Sequence, residues 1–273
     1  MVGRPVTGPP RRRPPLKAPW PLLALAIIGT ALFVLPLVGL LARTPWSGLG
    51  SILSQQVVLD ALRLSMITST AAAVLAVLLG VPIAWVLARL EFRGRSLLRG
   101  LVVLPMVLPP VVGGAALLFA FGRRGFFGEA LFEATGILLP FSIGGAVLAA
   151  TFVATPFLVL TVEGALRSLD PRFEAAAATL GASRWTVFRR VTLPLLGPSL
   201  AVGVVIAWAR ALGEFGATIT FAGNLQGRTQ TMPLAVFVAL ESERDTAIAL
   251  SLVLVAVSLA ILLVLRDRWW PAR

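Results

Sequence analysis

Arg210 and Glu214 stand four residues apart where a long apolar stretch runs out, a spacing that would stack a guanidinium and a carboxylate on one face of a helix. An arginine costs about 2.5–3.5 kcal/mol at a bilayer centre and less near the interface, so it should have a partner or face water. Neutral hydrogen-bond donors follow the pair, among them Thr218, Thr220, Asn224, Gln226, Thr229, Gln230 and Thr231. Arg210, Glu214, Thr218, Thr220 and Asn224 could pass an oxyanion by hydrogen bonds without holding it tightly. The same hydroxyls also cap helices and form turns, and the charged pair could be a plain structural ion pair, so from the residues alone both roles stay open. Covalent chemistry is largely removed. With no Cys, His or Tyr, thiolate and imidazole metal sites, Ser-His dyads and the usual haem ligands are absent. The one lysine, Lys17, sits between Leu16 and Ala18 in a proline-rich tail, which excludes a P-loop and a Ser-Lys nucleophile.

The elements that must position these residues are membrane helices. The chain has 273 residues, 58% hydrophobic and 13% charged, with mean hydropathy +0.91, more apolar surface than one water-soluble domain buries. A bilayer core about 30 Å thick needs roughly 20 apolar helical residues. Six uncharged runs qualify: Ala18 to Ala42, Leu64 to Ala88, Gly100 to Gly122, Ala134 to Val162 with part of it loop, Val191 to Ala209, and Thr246 to Leu265. They are continuously apolar instead of alternating, which rules against a β-barrel and makes the chain an all-α integral membrane protein of six transmembrane helices. The first run exceeds the 7–15 residues of a signal-peptide core and reads as an uncleaved anchor. Residues 1–17, basic and proline-rich, read as a disordered cytoplasmic tail, and 18–273 as a single six-helix transmembrane domain.

With the amino terminus inside, cytoplasmic segments carry 17 of the 24 Lys and Arg residues. The positive-inside rule therefore places both termini in the cytoplasm and makes the chain a multi-pass protein of the plasma membrane. It also accounts for the net charge of +12 without nucleic acid, since no aromatic-interleaved basic groove is present.

The cytoplasmic stretch 163–194, EGALRSLDPRFEAAAATLGASRWTVFRRVTLP, reads as two short helices. Asp170 caps the first with Pro171 at its first position and Glu174 in its first turn; Gly181 ends it, and Ser183 caps a second running toward Arg190. Ala175 to Ala178 give the first helix little side-chain volume and no apolar stripe. It could lie on lipid headgroups, but interfacial anchors carry a large apolar face, which favours docking to a cytoplasmic partner.

EAAAATLGASRWTVFRRVTLP resembles the EAA loop of permease subunits of ABC importers. Anchored on Gly181, the likeness extends to Val191, Leu193 and Pro194; anchored on Glu174, the glycine arrives one residue late, so the family's glutamate position falls on Ala175. The resemblance implies a type I importer permease fold whose loop, with Glu174, Ala175, Ala176, Ala177, Gly181, Ala182, Ser183, Leu193 and Pro194, seats in a separate ATPase subunit. ARALGEFGATITFAGNLQGRTQTMPLAVF is similar to molybdate permeases, sulfate permeases sharing LGEFGA, and LVVLPMVLPPVVGG is similar to the same group. What this implies is a homodimeric permease importing molybdate or tungstate, an extracytoplasmic molybdate-binding protein, and ATP and Mg bound by the partner ATPase, with no cofactor on this chain and no enzyme activity of its own. A sulfate or thiosulfate importer is the alternative. An ion-coupled secondary carrier is less favoured, because the apolar runs contain no Asp or Glu and no inverted repeat is evident.

Overall fold

The computed structural model describes residues 19–269, and among these every regular element is helical. The basic tail expected over 1–17 lies outside the described residues. Compactness divides the chain into two units, the first ending at Arg43. That unit's helix α1 (Trp20–Ala42) has 23 residues, with Pro36 inside it.

Beyond Thr44 the short α2 (Leu49–Leu53) leads into α3 (Gln56–Arg89), 34 residues long. The helix starts well before the uncharged run because Asp60 and Arg63 occupy its early turns, where length beyond about 20 residues can leave the apolar layer. The third span is not one helix. α4 (Arg95–Val107) and α5 (Pro110–Phe121) meet at 119°. Pro109 and Pro110 supply no N–H, and Leu108 before them is extended at φ −64, ψ 138, so the backbone ladder cannot continue through them. α6 (Gly128–Thr135) follows and ends at Gly136 in the left-handed region, φ 70.

α7 (Ile143–Ser168) begins later than the uncharged run suggests, where Ser142 accepts a hydrogen bond from Gly145 N at 3.1 Å. α8 (Pro171–Thr179) and α9 (Arg184–Val187) come next. A π-helical turn over Phe188–Thr192 then carries the chain without interruption into α10 (Leu193–Leu212). α11 (Gly216–Phe221), α12 (Met232–Ser242) and α13 (Arg244–Trp269) complete the chain. Among the described residues, α1, α3, α7, the Arg184–Leu212 run and Arg244–Ile261 are long and apolar enough to cross a membrane, five spans in all, or six where the bent pair α4–α5 counts as one.

α3, α7 and α10 form the central packed group. Its interior is built largely from alanine, with Ala72, Ala76, Ala84, Ala150, Ala154 and Ala207 beside Leu87, Leu158, Val159, Leu166 and Leu196. Lipid is as apolar as leucine, so helices gain little by merely hiding apolar surface in a bilayer; close van der Waals approach of small residues holds them. A Cβ on Gly80 would lie 2.9 Å from Leu158 Cδ2, and one on Gly114 would lie 2.7 Å from Thr220 Cβ and 2.8 Å from the Ala217 carbonyl. α5 and α11 thus touch backbone to backbone. A smaller cluster joins α3 to α12 and α13 through Val58, Ala61, Met232, Ala235, Ala247 and Leu250.

Candidate functional site

At one end of the bundle, α8 is built as its sequence reads. The Asp170 carboxylate accepts from Arg172 N at 2.9 Å, Pro171 takes the first position, and Gly181 ends the turn at φ +83, a conformation that favours glycine. Ala182 N donates to the Ala177 carbonyl at 3.1 Å and Gly181 N to that of Ala178 at 3.0 Å, which satisfies the last carbonyls. Ser183 accepts from Thr186 N at 3.2 Å. Two expectations need correction. The second helix is not free-standing, because α9 passes through the π turn into α10, with Leu193 and Pro194 its first residues. The loop also starts later than 163: Glu163 lies within α7 and is 3% exposed.

Glu174 points into the protein. Its Oε1 accepts from Thr192 Oγ1 at 2.7 Å and lies 3.2 Å from Arg89 Nη2 at the end of α3. One carboxylate therefore ties α8 to both α3 and the root of α10. Ala175 and Ala176 are exposed, Ala177 is half-buried, and Ala182 is half-buried beside a cavity of about 480 Å³ that Trp85, Arg89, Glu174 and Phe188 also line. The absence of an apolar stripe is corrected in part: Phe173 and Leu180, seven residues apart, are exposed, as is Trp185, which stacks on Phe188 with ring centroids 5.7 Å apart.

At the same end, Glu163 Oε1 accepts from Arg99 and, at 2.9 Å, from Arg167 Nη2. The Leu87 carbonyl accepts from Arg95 Nη2 at 2.6 Å and Arg167 Nη2 at 3.2 Å. The Glu163–Arg167 spacing of four was a legible helical signal; the partnership with α4 was not, since it spans 64 residues of chain.

At the other end of α10, Arg210 Nη2 lies 2.9 Å from Glu214 Oε2. The pairing follows the sequence reading, but the two do not share one helix face, because α10 stops at Leu212 and Glu214 occupies the break before α11. Glu214, 2% exposed, accepts from Ala217 N at 2.8 Å with its other oxygen. It caps α11 while Arg210 neutralises it. The break also meets the break in the third span: a Cβ on Gly216 would sit 2.6 Å from Pro110 Cβ. Thr218 is buried at 2% exposure, and the Thr220 hydroxyl donates to the Gly216 carbonyl at 2.8 Å. Asn224 Oδ1 is buried and has no hydrogen-bond partner among the described residues.

Residues 80–269 match the family described as binding-protein-dependent transport system inner membrane component. The chain belongs to this family. The matched range takes in the loop, the Arg210–Glu214 break and both halves of the third span, and leaves out α1. This inner membrane component is 49% identical over 235 residues to the molybdenum transport system permease protein ModB of Mycobacterium tuberculosis, covering 86% of this chain and 89% of that protein. It is 47% identical over 183 residues to the Escherichia coli K12 protein of the same name, covering 67% and 80%. The sulfate transport system permease protein CysT of E. coli K12 is 38% identical over 213 residues, 77% of this chain and 76% of that one. In fold, the component resembles a chain in the crystal structure of a bacterial ABC transporter involved in alginate import, with TM-score 0.72 at 19% identity over 91% of this chain and 93% of that chain.

Proposed function

We propose that this permease imports molybdate, as one half of a homodimer that works with a separate ATP-hydrolysing subunit and an extracytoplasmic binding protein. Both termini face the cytoplasm, where 17 of the 24 basic residues then lie. The names of the relatives at 47–49% identity support the substrate. The observation that carries the mechanism is the Glu174 clamp. It makes α8 a lever fixed to the body of the protein instead of a flexible tether.

The exposed face of that lever, with Phe173, Ala176 and Leu180, is what the ATPase grips. A displacement of α8 passes through Glu174 to Arg89 on α3 and Thr192 at the root of α10. α10 has 20 residues and therefore carries the displacement about 30 Å, to the break where Glu214 caps α11 against α5. Nucleotide biases the conformational equilibrium from below and the substrate-bearing binding protein from above, each through its differential affinity for the inward- and outward-open states. Chemistry is confined to the ATPase, which binds ATP and Mg. The permease holds no cofactor and makes or breaks no covalent bond.

The test is ATP hydrolysis by the permease reconstituted in liposomes with its ATPase and binding protein, comparing molybdate, tungstate and sulfate. Stimulation by molybdate or tungstate and not sulfate is the expected result. Stimulation by sulfate alone would overturn the substrate and leave the importer mechanism standing, whereas no ATPase complex at all would overturn the mechanism.

A further inference from the structure

Next to the clamp, and not part of it, Arg95, Ser96, Arg99, Gly100 and Val103 of α4 and Arg167 of α7 line a cavity of about 560 Å³. Three arginines line it, and only two of them, Arg99 and Arg167, share a carboxylate, both ending on Oε1 of Glu163. Arg95 and Arg167 also spend donors on the Leu87 carbonyl, which closes the last turn of α3. That capping accounts for part of the cluster. It does not account for Arg99, whose Nε is buried without a partner among the described residues, or for a surplus of two positive charges beside an open cavity.

We infer that this cavity binds a tetrahedral oxyanion of the phosphate class. A guanidinium presents its N–H groups as a fork that matches two oxygens of such an anion, and charge-assisted bonds of this kind are the strong ones. The first turn of α4, which begins at Arg95, adds its own positive end to the same cavity. Alongside the cavity-lining positions, Leu97, Leu101 and Leu104 form an exposed apolar strip on α4. A phosphate carried by a lipid would find its acyl chains accommodated there, and basic pockets at the cytoplasmic ends of membrane helices suit such headgroups. An unattached oxyanion arriving from the cytoplasm satisfies the same arginines, so the ligand chemistry is shared and its source is settled by experiment.

The experiment uses the full-length permease in dodecyl maltoside, a phosphate-free detergent, and follows thermal unfolding together with bound mass by native mass spectrometry. One arm adds phosphatidylglycerol, with diacylglycerol as the control that has the chains and no phosphate; the other adds inorganic phosphate or molybdate. The variant is Ser96→Glu. Ser96 is exposed, and an acidic residue in the first turn of α4 favours the helix, so the fold survives while a tethered carboxylate occupies the arginines. Saturable stabilisation by phosphatidylglycerol and not diacylglycerol, weakened at least about tenfold in Ser96→Glu, establishes the site with a lipid ligand. The same pattern with inorganic phosphate or molybdate establishes it with a free ion. No anion-dependent stabilisation, equal stabilisation by diacylglycerol, or equal affinity in Ser96→Glu overturns the inference.

Discussion

Replacing Glu174 with alanine tests whether α8 is a lever or a tether. The substitution removes the hydrogen bond from Thr192 Oγ1 at 2.7 Å and the Arg89 ion pair at 3.2 Å, and it leaves a threonine that is 1% exposed without its acceptor. A hydrogen bond to a charged group contributes about 1.5–3 kcal/mol net. The ion pair, whose side chains are 20% and 23% exposed, adds at most about 1 kcal/mol after screening. Together they stabilise the docked α8 by about 3 kcal/mol, roughly a hundredfold in the equilibrium between docked and undocked. Hydrogen exchange over Ala175–Thr179 in the reconstituted complex should accelerate by about that factor, and substrate-stimulated ATP hydrolysis should fall with it. Glu174→Gln keeps an acceptor for Thr192 and loses only the charge, so it should show about a tenfold effect. If Glu174→Ala exchanges at the wild-type rate, α8 is held by something other than this carboxylate and the path through Arg89 and Thr192 is wrong.

Other perturbations reach the remaining parts of the molecule. Arg210→Met should lower stability by about 2–4 kcal/mol in chemical denaturation, because Glu214 is left buried and unpaired. The charge swap, Arg210→Glu with Glu214→Arg, should not restore transport, since an arginine at 214 has no acceptor for Ala217 N; recovery of transport by the swap would show that only the ion pair matters. Gly114→Ala should cost about 1–3 kcal/mol by forcing a Cβ against Thr220 and the Ala217 carbonyl, while Gly197→Ala in α10, where a Cβ meets nothing within 4 Å, should stabilise by up to about 1 kcal/mol; equal melting temperatures would contradict the packing of α5 on α11. Gly181→Trp should leave the permease inserted but unable to co-purify with its ATPase, and Gly181→Asn, which tolerates the left-handed backbone, should retain assembly; loss of assembly in both would trace the defect to backbone freedom and not to bulk.

Composition and continuous apolar runs were enough to establish an all-helical membrane protein, because only helices of about 20 apolar residues or closed barrels satisfy their backbone in lipid. The caps at Asp170 and Ser183 and the stop at Gly181 were equally legible, since each acts on backbone groups two or three residues away. The Arg210–Glu214 pair was readable for the same reason of proximity, but its geometry was not: the break at Gly213 turns an expected helix-face pair into a cap for α11.

What the tertiary structure alone decided is who meets whom across long stretches of chain. Glu174 meets Arg89 over 85 residues and Arg99 meets Glu163 over 64, and no local periodicity encodes either contact. The break after α10 and the break between α4 and α5 likewise come together at Gly216 and Pro110 because glycine lets one backbone approach the other. Pro109 and Pro110 break the backbone ladder of the third run, but its 119° bend depends on how the two halves pack, and α5 lies against α11. Sequence determined the helices because their hydrogen bonds close within four residues. The site belongs to the folded chain because its charges find their partners only after those helices pack.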